Sequence, residues 1–176
     1  PARGHGRGAS TFSPPPPPRT GGASRSFHIY RALAPDFETV IVSVCPSGEP
    51  AFEGDIAPGV REIRIPKSPE HERREAEIQA RMKTPVTDVV MPALHALTPS
   101  IRETLARESR DACAVVASHP YFHPVLRELG LPVWYEAQDF ELDLKTALFE
   151  ERPGGRELIE TVHDVEAACA RDAEAI

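Results

Sequence analysis

The chain has 176 residues, 40% apolar and 27% charged, with a formal net charge of -7 at pH 7. That length suits one sizeable domain, or one half of a two-domain protein, and the apolar content is enough for a core. The acidic balance argues against a nucleic-acid surface, which needs clustered Lys and Arg not offset by acids; no apolar run of about 18 residues and no charged-then-apolar leader provides for a membrane span or for secretion.

Cys45, Cys113 and Cys169 are odd in number and sit in apolar runs without zinc-type spacing. They are expected to be buried, reduced thiols of a cytoplasmic protein. The first residue is Pro1, which fits a clipped start.

Residues 1 to 20 are rich in Gly, Arg, Ser and Pro, too poor in apolar surface to order themselves. Residues 1–13 are therefore expected to be a disordered or clipped tail, with an α/β domain over 14–176. In "PPPPPRTGGASR", five prolines favour a stiff linker, whereas Gly21 and Gly22 favour a loop where backbone approaches a ligand. "SRSFHIYRALA" puts Phe27, Tyr30 and Ala34 on one helical face before Pro35 ends it. "FETVIVSVC", Phe37 to Cys45, reads as a strand buried on both faces, and "VREIRI" as a half-exposed strand.

The charged residues 67 to 84 read as a solvated helix or mobile excursion. Val90, Leu94, Leu97, Ile101 and Leu105 mark a long amphipathic helix interrupted near Pro92 and Pro99. "ACAVVAS" is the next strand, ending at His119 and Pro120. A short helix from Pro124 to Leu129 leads through Gly130 into the strand "LPVWYEA". "ELDLKTALFE" follows a polar turn. Leu158, Val162, Val165, Cys169, Ala173 and Ile176 form one stripe on a final helix.

Strands alternating with helices predict a Rossmann-like α/β fold, a mainly parallel sheet with helices on both faces. Ligands of such folds bind at the carboxyl ends of strands. That singles out Ser118, His119 and Pro120, then Glu136, Gln138 and Asp139. A strand before the glycines is expected to be missing, because "GRGASTF" is short and polar. Its absence would leave a gap at the sheet's centre and an unstable chain.

Gly21 and Gly22 at a helix entrance would turn backbone N–H groups and the helix dipole toward an anion, or form a plain turn. Arg25, in the same helix, joins them as a substrate contact. His119 and His123 are four apart, as two metal ligands would be, but no third ligand is recognisable, so no metal site is assigned. His119 is read either as a histidine tied at a strand end or as a cleft donor that orients a sugar hydroxyl. Glu136 and Asp139 could grip hydroxyls, or Asp139 could cap the helix near Phe140. Trp134 and Tyr135 are expected in the core, and Glu157, Glu160 and Glu166 in solvent.

"PPPPPRTGGASRSFHIYRALA", "VVASHPYFHPVLRELGLPVWYEAQDFELDLK" and "VHDVEAACARDAEAI" together resemble the N-terminal, acceptor-side domain of GT-B glycosyltransferases of the family 4 retaining type. In that family a Gly-Gly turn after the first strand lies against donor diphosphate and acceptor, which implies a substrate role for Gly21 and Gly22. The family's "sHP" and "YEAHN-E" motifs map onto Ser118-His119-Pro120 and onto Tyr135, Glu136, Ala137, Gln138, Asp139 and Glu141. Gln138 stands where many relatives have His.

The resemblance implies transfer of a sugar from a nucleotide-sugar co-substrate to a sugar or glycoconjugate acceptor, with His119 as the catalytic residue and no metal or other cofactor. It also implies a C-terminal donor-binding domain that this chain lacks, an isolated chain without activity, and peripheral membrane contact among the partners. A non-catalytic α/β binding module and, further behind, a metal-dependent hydrolase using His119 and His123 are the rival readings.

Overall fold

The computed structural model describes residues 6–11 and 21–176. The proline run and Arg19 lie outside them. Six strands form one sheet in the order β3-β4-β2-β1-β5-β6: β1 (Gly6–Thr11), β2 (Phe37–Cys45), β3 (Phe52–Ala57), β4 (Val60–Pro66), β5 (Ala112–Ala117) and β6 (Val133–Tyr135). All neighbours are parallel except the edge pair β3 and β4. The helices are α1 (Gly21–Leu33), α2 (Pro69–Met82), α3 (Met91–Leu94), α4 (Pro99–Glu108), α5 (His123–Glu128), α6 (Glu141–Phe149) and α7 (Gly155–Asp172).

The expected gap at the centre does not exist. "GRGAST" is β1, in register with β2 on one side and β5 on the other. A stretch with only Thr11 as a good strand former is held there because two apolar strands offer backbone partners along both edges; tertiary pairing overrides local propensity.

Alternation along β2 divides the core. Val40 and Val42 join Ile63 and Ile65 of β4 beneath α2, α3, α4, α5 and α7, in a cluster containing Met82, Met91, Ile101, Leu105, Leu126, Phe149 and Val162. Ile41 faces the other way, against Tyr30 of α1 and Val60. So α1 covers one face and the remaining helices gather on the other, as a sheet buried on both sides requires.

The register row Ile41, Ser10, Val116, Trp134 runs across the α1 face. Trp134 lies at its far end and is half exposed, whereas Tyr135, on the opposite face, is buried. The tryptophan is therefore not core. Nor is Cys113 buried, although Cys45 and Cys169 are; burial pushes the Cys169 thiol up to about 12.

Residues 67 to 84 are neither mobile nor fully solvated. Ser68 caps α2 by accepting from the His71 N–H, Pro69 starts it, and Lys83 closes it in the left-handed region at φ 55°. His71, Glu75 and Met82 are buried beneath it. β4 is an inner strand, not a half-exposed one. Its fully buried Glu62 accepts from Ser43 Oγ at 2.8 Å and from Arg64 at 3.0 Å. The prolines divide the long helix into α3, a 3-10 turn at His95–Leu97, and α4.

Candidate functional site

β1 is the point where strand order reverses. The chain leaves it toward β2 and β4, and later comes back to lay β5 and β6 on its other side. Diverging connections leave a crevice at the carboxyl ends of strands flanking such a point. A cavity of about 310 Å³ lies there, with Gly22 after β1, Val44 at the end of β2, His119 after β5, and Gln138 and Asp139 after β6 in its wall. Thr87, Asp88, Met91, Tyr121, Phe122, Glu141, Leu144 and Lys145 complete it.

Gly21 opens α1 and Gly22 sits against the turn after β6. A Cβ at Gly22 would lie 3.1 Å from Gln138 Oε1, tight enough that the amide would have to shift. Gln138 Nε2 donates to Ser26 Oγ of α1 at 3.1 Å. Arg25 Nε stands 3.4 Å from Glu136 Oε1. Tyr30 donates to Glu136 Oε2 at 3.0 Å, and Ser118 donates to the same oxygen at 3.1 Å. One carboxylate thus ties α1, the end of β5 and the turn after β6 together, and it holds the glycine entrance against the Gln138 loop.

His119 is in extended conformation at the strand end. Its Nδ1 lies 2.9 Å from Glu141 Oε1, and Tyr121 donates to the other oxygen at 2.6 Å. Burial alone would raise the Glu141 carboxyl, but the bonds from His119 and Tyr121 and the charge of Lys145 outweigh it and hold the group below its ordinary value. Glu141 is therefore an anion at neutral pH, and an anionic acceptor makes Nδ1 the protonated nitrogen of His119. Burial, then the bond to Glu141, pushes the Tyr121 hydroxyl up, so it stays a donor. The His119 and Tyr121 rings are stacked, 6.3 Å between centroids.

Lys145, one helical turn beyond Glu141, pairs with Asp88 at 2.5 Å, lies 3.8 Å from Glu141, and sits over the Tyr121 ring. Glu166 reaches across from α7 and accepts from the Glu141 and Leu142 N–H groups, both at 2.9 Å. It caps α6, which overturns its reading as a solvated charge. Asp139 is not the cap: Phe140 holds the N-cap position, Glu166 takes the first N–H groups, and Asp139 lines the cavity instead.

The sequence-level candidates Gly22, His119, Gln138 and Asp139 therefore share one cavity, with Arg25 and Glu136 bonded behind it. Glu141 enters that selection only as a position of the family motif, and Lys145, Tyr121 and Asp88 escape it as functional side chains. The i,i+4 spacing of Glu141 and Lys145 was the available signal; Asp88 lies in a segment with no strand end to mark it. His119 and His123 do not converge. His123 is buried, 3.3 Å from Asp172, and no group of three metal-ligating side chains occurs among the described residues. No helix among them is long and apolar enough to cross a membrane.

No protein-family model and no curated protein matches the sequence. Solved structures do resemble the fold. An alpha,alpha-trehalose-phosphate synthase (UDP-forming) from Burkholderia xenovorans, in complex with glucose-6-phosphate, aligns over 89% of this chain and 39% of its own, with 13% identity and a TM-score of 0.46. An alpha,alpha-trehalose 6-phosphate synthase from Burkholderia multivorans aligns over 89% and 38%, with 13% identity and a TM-score of 0.42. A structure described as trehalose-6-phosphate from E. coli, bound with UDP-2-fluoro glucose, aligns over 90% and 38%, with 14% identity and a TM-score of 0.42. The chain thus spans less than two fifths of the length of these structures, and each likeness is one of fold over that part.

Proposed function

We propose that the chain is the acceptor-side domain of a retaining glycosyltransferase of the GT-B, family 4 type. It holds a sugar or glycoconjugate acceptor while a nucleotide-sugar is bound mainly by a separate C-terminal domain, and the isolated chain does not turn over. In this reading His119 is the catalytic residue and meets the reacting hydroxyl, with Glu141 fixing its ring as the positioning residue. Gly21 and Gly22 admit the substrate close to backbone, Gln138 and Asp139 bond hydroxyls, and Arg25 and Glu136 hold the rim together. The proposed domain spans residues 14–176, with β1 added to it.

One observation carries the reading. The glycine entrance, His119 and the Gln138-Asp139 turn, chosen from sequence motifs, line one cavity at the strand-order reversal. Saturation-transfer NMR with methyl glycosides of glucose, galactose and mannose tests it. At least one should bind, and His119→Ala and Asp139→Ala should each weaken it by about tenfold, the scale of one or two hydrogen bonds. If none of the glycosides binds, the reading falls.

A non-catalytic binding module is the second reading. Gln138 favours it, since its amide carries no titrating proton and is engaged by Ser26. The two readings part on nucleotide release from nucleotide-sugars, measured on the protein as its host makes it. Release supports the transferase, and glycoside binding without release supports the module.

A further inference from the structure

α6 carries apolar residues on two sides: Phe149 is buried in the core and Leu142 packs against it, but a second set faces out. Its charged Glu141 and Lys145 are 2% and 8% exposed, while Leu144 and Leu148 are 42% and 47% exposed and Phe140, at its N-cap, 77%. A surface helix ordinarily turns its apolar stripe inward and its charges to water. Desolvating two ions and exposing two leucines are both unfavourable, so the arrangement calls for a cause outside the core.

The inward side has one: Glu141 and Lys145 form a wall of the cavity with His119 and Tyr121. The outward side repeats an apolar residue every fourth position, over about 12 Å of helix. Leu144 belongs to both, for it lines the cavity and sits at the middle of the stripe. A ligand filling the cavity therefore touches the middle residue of the stripe.

We propose that the acceptor is an amphiphile. Its hydroxyl-rich head enters the cavity, and its apolar aglycone lies along Phe140, Leu144 and Leu148; this rests on the sugar-site reading above. Three side chains are too few for a stable protein interface, which needs about 800 Å² on each partner. An anionic membrane surface is disfavoured by the net charge of -7 and by exposed Asp139 and Asp143, the chain neighbours of Phe140 and Leu144. An alkyl or aryl chain matches the stripe in length and chemistry.

The test compares methyl and octyl β-D-glycosides of glucose, galactose and mannose by calorimetry, below micelle-forming concentrations. It uses the chain and its Phe140→Ser/Leu148→Ser variant; Leu144 is left alone because it lines the cavity. For the sugar that binds, the octyl form should bind about tenfold tighter or more, as burial of several methylenes requires. The variant should lose that gain and keep the methyl affinity. Equal affinity of the two glycosides, or a gain that survives in the variant, overturns the proposal and leaves the sugar site standing. If neither glycoside binds, the sugar-site reading fails, and this one with it. A dimer in sedimentation velocity that the variant dissociates assigns the stripe to a second copy and overturns the proposal as well.

Discussion

Glu141 accepts from His119 and Tyr121 through different oxygens and has Lys145 beside it. Replacing it by Gln keeps the volume and leaves Lys145 to Asp88 alone, yet puts an amide where two donors need an anion. Glu141→Gln is expected to lower unfolding stability by about 3 kcal/mol, the scale of breaking a buried charge network, and to weaken glycoside binding by about tenfold. Denaturant titration and NMR read the two effects. A variant that keeps both would remove Glu141 from its positioning role. At Gly22 the added Cβ of Gly22→Ala meets one side-chain oxygen at 3.1 Å. That oxygen belongs to a movable amide, so the stability cost should be about 1 kcal/mol or less, with glycoside binding weakened more than folding, by the same two measurements. His119 and Gln138 were legible in the sequence because each follows an apolar run that had to be a strand. Asp88 was not, because its place beside Lys145 comes from chain folding over 57 residues, which no local pattern records.

The join between α6 and α7 positions the site's charged wall. Gly155 starts α7 in the space beneath the end of α6: a Cβ there would lie 1.8 Å from the Phe149 carbonyl oxygen. Gly155→Ala must therefore drive the two helices apart, at about 3 kcal/mol, and a thermal melt should show a drop of many degrees. Glu166→Gln leaves the α6 N–H groups one neutral acceptor in place of two anionic ones, and should cost about 1 to 2 kcal/mol. An unchanged melt in either variant would contradict the packing described. Elements with strong apolar runs, β2 and β5, were readable as strands. β3 was not, since "FEGDIA" carries Gly54 and Asp55, and only pairing with β4 makes it a strand. α6 was readable as a segment but not in orientation, because its apolar residues divide, with Leu142 and Phe149 turned to the core and Leu144 and Leu148 turned out.

Across the whole molecule, protons and topology set the conditions for stability. His71 and His123 are held below their ordinary value of 6.5 chiefly by burial. In the unfolded chain they take up protons first as pH falls, so stability should decline below about pH 6.5. Glu141, also depressed, contributes stability above the ordinary 4.5 of its carboxyl and loses it as pH falls further. Melting temperature should thus be flat from pH 7 to 8, fall through pH 6, and fall more steeply below pH 4.5. For His123→Asn, which cannot titrate, the first decline should shrink. Instability was expected from a vacant central strand, and β1 removes the ground for it. β1 also fixes when the fold can form. Its partner β5 begins more than a hundred residues later, so β1 cannot pair on both sides until that long loop closes, and loop-closure entropy makes that slow. Deleting residues 1–11 should yield a chain that never acquires cooperative unfolding, because β2 and β5 would each present a bare apolar edge to the other. The strand with the plainest sequence thus decides whether the two halves of the sheet melt together or apart.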